Sequence, residues 1–336
     1  MKIYRNWDKS RTHSKHHYIK ILYQDVIIMK VNKIRNSFFL VLAALIWGVA
    51  FVAQTTGAEA TGPYTFNCIR SFIGGIFLLP VINISDRRNG NPVPSPQQKK
   101  DLLTGGICCG CILFVATTLQ QLGLYFGVPA GKAGFFTACY ILIVPILGLF
   151  FHKRCGLKIW IGVVLAVAGL YLLCMDESGF SLQLRDILVL ICAVVFACHI
   201  LTIDHFSPLV DGVKLSCIQF FVCGILGLIP MFFADMHHSI AGIQAWLPSF
   251  GSMDAWIPLL YAGVLSSGVG YTLQIVGQNG LNPTIASLLM SLESVFSVLA
   301  GWIILGQSMN AQELSGCVLI FIAIVLAQIT NEPFPT

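Results

Sequence analysis

Apolar residues come in long blocks along this chain, not in the 3.6- or 2-residue periods of half-buried helices and strands. Ten blocks can be marked, at about 37–57, 64–84, 102–124, 130–151, 156–175, 186–204, 213–233, 255–277, 283–305 and 312–330. Each is close to the roughly 20 residues that cross the hydrocarbon of a bilayer as a helix. Short polar connections separate them, with two longer exceptions. One is "SDRRNGNPVPSPQQKKD" at 85–101; the other, 234–254, carries His237 and His238. The pattern predicts an all-α integral membrane protein of ten transmembrane helices. Composition agrees: 56% of residues are hydrophobic and 10% charged, against about 25% charged in a soluble domain, and the mean hydropathy is +0.79.

Charge placement gives an orientation. With the N-terminus cytoplasmic, the basic N-terminal segment, Arg87, Arg88, Lys99, Lys100, Lys153, Arg154, Lys158 and Lys214 all face the cytoplasm. Only Lys132 and Arg185 fall outside, and Arg70 lies within a span. Lys and Arg gather on the cytoplasmic side of membrane proteins, so both termini are expected there, in a plasma (inner) membrane. The net charge of +5 then reports topology, not nucleic-acid binding. Residues 1–35 are polar and basic and carry His13, His16 and His17, read as a solvated tail. The apolar pieces "YIKILY" and "VIIM" are too short to span, and no small-residue cleavage site follows them. The segment is either a cytoplasmic extension or lies upstream of a start at Met29.

The two halves repeat. "TLQQLG" at 118–123 matches "TLQIVG" at 272–277, and the same offset carries Pro129 onto Pro283 and Gly162 onto Gly316. "CIRSFIGGIFLLP" at 68–80 matches "CIQFFVCGILGLIP" at 217–230 with one insertion, and Trp47 falls on Phe196. Units of 36–176 and 185–330 follow, of five helices each. An odd number of crossings places the second copy upside down, as an inverted repeat, a plan common in secondary transporters.

"AALIWGVAFVAQ", "CIRSF", "GKAGFFTACYILIVPILG", "WIGVVLAVAGLYLL", "LLYAGVLSSGVGYTLQ" and "SLESVFSVLAGWIILGQ" together resemble the EamA-type proteins of the drug/metabolite transporter superfamily, in register over about 37–330. The resemblance implies two inverted five-helix units around a central substrate cavity, and the export of amino acids or other small metabolites. Two positions depart from the family pattern. Ser294 stands where Pro often follows the glutamate, and Gln307 where the next turn often has Glu.

Polar groups at membrane depth are the candidate site residues. Glu293 sits near the middle of "SLLMSLESVFSVLAGWIILGQ", where a lipid-facing carboxylate would cost several kcal/mol. It is read either as a cavity group able to exchange protons or as a structural polar group. Arg70 either binds a substrate carboxylate, pairs with an acid or snorkels outward; Lys132 is expected to snorkel. Gln120 and Gln274 are repeat mates at matching depth. Trp47, Phe51 and Gln54 share one helix face. Tyr140 and His199 are further polar groups within spans. Gly263, Ser267 and Gly270 form a small-residue stripe, as do Ser287, Ser291 and Ser294, and Pro145 is expected to kink the fourth span.

Cysteines fall mostly within spans, where they act as small hydrophobes. No phosphate loop, zinc spacing or nucleotide motif stands in the chain, so no cofactor or metal is expected. The function expected is secondary transport, as an exporter of a small amino-acid-like or amphiphilic metabolite working by alternating access. An integral-membrane enzyme and a passive channel or facilitator are the alternatives. Partners are the substrate and the bilayer, not nucleic acid; a homodimer is kept open.

Overall fold

The computed structural model describes residues 2–90, 93–150, 156–174, 183–305 and 311–328, and every regular element in them is helical. In chain order these are α1 (Lys2–Thr61), α2 (Pro63–Arg88), α3 (Pro96–Tyr125), α4 (Ala130–Ala138), α5 (Tyr140–Phe150), α6 (Leu157–Cys174), α7 (Leu184–Phe206) and α8 (Gly212–Pro230). Then follow α9 (Ile240–Trp246), α10 (Met253–Leu260), α11 (Thr272–Gln278), α12 (Pro283–Met290), α13 (Leu292–Leu305) and α14 (Ala311–Gln328). A π-helical segment, Tyr261–Tyr271, joins α10 to α11. Among the described residues, eight helices or helix runs are long and apolar enough to cross a membrane. Leu157–Leu172 and Leu314–Leu326 are shorter apolar helices at the fifth and tenth expected spans.

Local sequence sets where the helices begin. Gly62, at φ 91°, turns the chain into Pro63, whose ring suits a first helical position. Ser95 and Gln98 form a reciprocal capping box on α3. Asp211 accepts from the N–H groups of Val213 and Lys214 at the start of α8, and Asn282 caps α12 ahead of Pro283. Each crossing reverses the chain. The turns near 62, 126–129, 183 and 236–252 therefore share one end of the bundle, and those near 89–95, 207–211 and 279–282 share the other.

Packing follows the repeat. α2 lies on α8, and α6 on α14. α3 packs on α7 and α8, and the π segment with α11 packs in the matching way on α1 and α2. α13 packs on α1 as α5 packs on α7. Exchanging the halves thus maps these contacts onto one another.

Three features go beyond the expected spans. The fourth span is interrupted at Cys139, ahead of Pro145, which lies inside α5. The ninth span is interrupted in the same way at Ser291. Ser291 Oγ donates to Leu288 O at 2.8 Å, and such back-bonding bends helices. The 234–254 connection is also structured, with α9, a 3₁₀ turn at Leu247–Gly251 and an aromatic cluster of Trp246, Phe250 and Trp256. Trp246 Nε1 donates to Thr65 Oγ1 at 3.0 Å, seating this cap on the start of α2. Gln307, Lys153 and Arg154 lie outside the described residues, as do the side chains of His13, His16 and His17.

Candidate functional site

The helix interruptions bring the two halves together at the centre. Tyr140 opens α5 and Glu293 lies in the first turn of α13. Tyr140 Oη donates to Glu293 Oε1 at 3.0 Å, joining residues 153 apart in sequence. Beside this link, Ser294 Oγ donates to Gly134 O at 3.0 Å, again across the halves.

A central cavity opens here, with about 450 Å³ of empty space counting the part open to solvent. α1 contributes Trp47, Phe51 and Gln54, spaced along one face as their sequence positions imply. Arg70 comes from α2, Gln120 from α3, Thr137 from α4, Tyr140 from α5, and Phe196 and Ile200 from α7. The other half adds Ser266, Tyr271, Gln274, Met290 and Glu293. The structure therefore collects every candidate named from the sequence except His199.

His199 is fully buried behind this wall. Its Nε2 lies 3.1 Å from Gln219 Oε1, and its ring stands 6.1 Å edge-on from Tyr271. Lys132 does not snorkel: its Nζ pairs with Asp186 Oδ2 at 2.7 Å, and Asp186 is almost fully buried.

The wall has an aromatic side and two ionisable groups. Trp47 and Tyr271 meet with centroids 4.7 Å apart, and Trp47 Nε1 donates to Ser266 O at 3.3 Å. The small-residue stripe makes this possible: a Cβ on Gly270 would lie 2.8 Å from Trp47 Nε1. Arg70 is 3% exposed, and Glu293 4%. Arg70 Nε donates to Asn67 Oδ1 at 2.8 Å, and its guanidinium carbon stands 5.9 Å from the Phe66 ring centre. Among the described residues no carboxylate pairs with it. A buried charge without a counter-charge costs several kcal/mol, so this cation is suited to a partner brought into the cavity. Gln120 Nε2 donates to Thr137 Oγ1, whereas Gln54 Oε1 and Gln274 Oε1 have no hydrogen-bond donor. Those two carbonyls are buried acceptors at the cavity wall that lack a donor.

Sequence reading missed Thr137, Phe196, Ile200, Ser266, Tyr271 and Met290. Phe196 had a signal, because it is the repeat mate of Trp47. The others are ordinary residues of apolar spans and carry no mark of their own.

A helical bundle of this length and hydropathy, built from two similar halves around a polar-lined cavity, defines a membrane transporter. The chain belongs to the EamA-like transporter family, which matches it twice, over residues 35–175 and 183–328. It is similar to an uncharacterized transporter of Archaeoglobus fulgidus, 28% identical over 301 residues, covering 89% of this chain and 87% of the relative. It also resembles the uncharacterized inner membrane transporter YedA of Escherichia coli, at 23% identity over 87% of this chain and 90% of that one. The uncharacterized transporter YwfM of Bacillus subtilis is likewise 23% identical, over 86% and 92%. One solved crystal structure superposes with a TM-score of 0.69 at 16% identity, covering 88% of this chain and 98% of its own, a likeness of fold. The relatives are named as transporters, not as enzymes.

Proposed function

We propose that this chain is a secondary transporter that exports a small amphiphilic, amino-acid-like metabolite. It works by alternating access between inverted units at 36–176 and 185–330, with both termini in the cytoplasm. The observation that carries this reading is the cavity itself. Both halves line it, and it combines an aromatic wall, an unpaired guanidinium and a carboxyl group. A dipolar substrate could place its anionic group at Arg70 and a donor group at Glu293, with its apolar body against Trp47, Tyr271 and Phe51. Contacts that map onto one another when the halves are exchanged support an inverted pair that rocks about this site.

Counterflow in liposomes holding the purified full chain tests the reading, with a panel of labelled small zwitterions as probes. Saturable counterflow of at least one probe is expected. Flux that does not saturate would make the protein a channel, and conversion of the probe would make it an enzyme. A reporter fused after Thr336 should be active only in the cytoplasm; activity outside would overturn the orientation.

A further inference from the structure

We propose that Asn67 is the positioning residue of an anion subsite, holding Arg70 in place while leaving its charge for the substrate to neutralise. This rests on the transporter reading above and extends it to a residue outside the cavity wall.

Asn67 is 4% exposed and sits one helical turn before Arg70 on α2. Arg70 Nε can only donate, so the amide must present Oδ1 to it, at 2.8 Å. The other end of the amide is fixed by α3. Asn67 Nδ2 donates to Thr117 Oγ1 at 3.0 Å and to Thr118 Oγ1 at 3.3 Å. Thr117 commits its own hydroxyl proton to Leu113 O at 2.8 Å, which leaves its oxygen to accept. The relay from Leu113 through Thr117 and Asn67 to Arg70 is therefore directional and satisfied at each step. Its last acceptor is neutral. A carboxylate at 67 would make the same bond and neutralise the guanidinium internally. With an amide there, no carboxylate pairs with Arg70 among the described residues. A guanidinium fork with free donors in a cavity is matched to a carboxylate. The inferred substrate class is an organic acid or zwitterion bearing a carboxylate, with an apolar or aromatic body for the adjacent wall.

Asn67→Asp is nearly isosteric and separates this role from a packing role. The Thr117 and Thr118 hydroxyls can turn to donate to the new oxygen, so the fold should hold with an unchanged or higher Tm. Benzoate and its neutral isostere benzamide, titrated calorimetrically into detergent-purified full chain near neutral pH, are the probes. Wild type should bind benzoate in preference to benzamide. Asn67→Asp should lose benzoate affinity by about tenfold or more, the scale of a charge-assisted hydrogen bond, with benzamide unaffected. Thr117→Val, which removes the acceptor that orients the amide, should weaken benzoate less and serves as a second reading should Asn67→Asp fail to accumulate. Equal benzoate affinity in wild type and Asn67→Asp, or no preference for benzoate over benzamide in wild type, overturns the proposal. Counterflow of the zwitterion panel by the same proteins distinguishes the two levels. Counterflow that survives Asn67→Asp undiminished sinks this subsite alone, whereas its absence from wild type sinks the transporter reading.

Discussion

At the scale of single residues, the decisive feature is a carboxylate in an apolar helix. Glu293 faces the cavity and is tied to Tyr140, so it avoids the cost of facing lipid. Glu293→Gln keeps shape and most hydrogen bonding but cannot ionise. With Glu293 coupling transport to protons, the variant should accumulate normally and lose pH-gradient-driven uptake into vesicles, while counterflow persists at a raised KM because Gln still accepts from the substrate's donor group. Unchanged pH-driven transport would remove the coupling role. The polar side of the site was legible because Arg70, Gln54, Gln120, Gln274 and Glu293 stand out in apolar spans. Of its apolar side Trp47 and Phe51 were legible by their shared helix face, whereas Met290 and Ile200 resemble any lipid-facing residue. Asn67 carried a signal that went unused, an amide three residues before a buried arginine on the same helix face. His199 shows the converse: depth alone does not tell which way a side chain points, and packing turned this one towards Gln219.

At the scale of elements, helix existence was legible and helix interruption was not. Proline is the visible breaker, yet α5 accommodates Pro145 and the chain breaks at Cys139 and Ser291. Neither break has a proline or glycine at it to mark it in the sequence. Close approach is better marked, by glycine. A Cβ on Gly169 of α6 would lie 2.7 Å from Gly316 O and 2.8 Å from Ile320 Cγ1 on α14. Backbone on one side cannot yield as a flexible side chain would, so the helices must part. Gly169→Val should therefore destabilise the bundle by about 1–3 kcal/mol, read as a lower Tm in detergent with the cavity residues unaltered. An unchanged Tm would mean that α6 and α14 contribute little to holding the halves together.

At the scale of the whole molecule, the internal repeat was the most informative signal, because an offset between matching motifs implies matching contacts. Two ties illustrate it. Asn36 Nδ2 donates to Asn279 O at 2.7 Å, joining α1 to the end of α11. Arg185 Nη1 donates to Phe126 O at 3.0 Å, joining α7 to the end of α3 at the opposite end of the bundle. Trp47 and Phe196 are repeat mates, and the same offset relates Asn36 to Arg185. Each end also carries an ion pair between the halves, and at the Asn279 end this is Lys214 Nζ with Asp86 Oδ1 at 2.8 Å, both partly exposed. The Arg185 end is also held by the Lys132–Asp186 pair at 2.7 Å, and Asp186 further accepts from Gln183 N at 2.7 Å. Under the proposed alternating access one end must loosen while the other stays closed, so each pair favours closure at its own end, and Asp186, 1% exposed against 30% for Asp86, makes the better shielded one, at the outer end in the proposed orientation. Asp186→Asn keeps an oxygen for the Gln183 cap but removes the ion pair. With Lys132 23% exposed, the loss should be modest, roughly 1 kcal/mol. Hydrogen exchange measured in nanodiscs should then quicken severalfold over 126–132 and 183–190 and stay unchanged near Asn279. Equal quickening at both ends would show that the pair supports the fold generally. No change at either end would show that closure there rests on helix packing and the Arg185 tie alone.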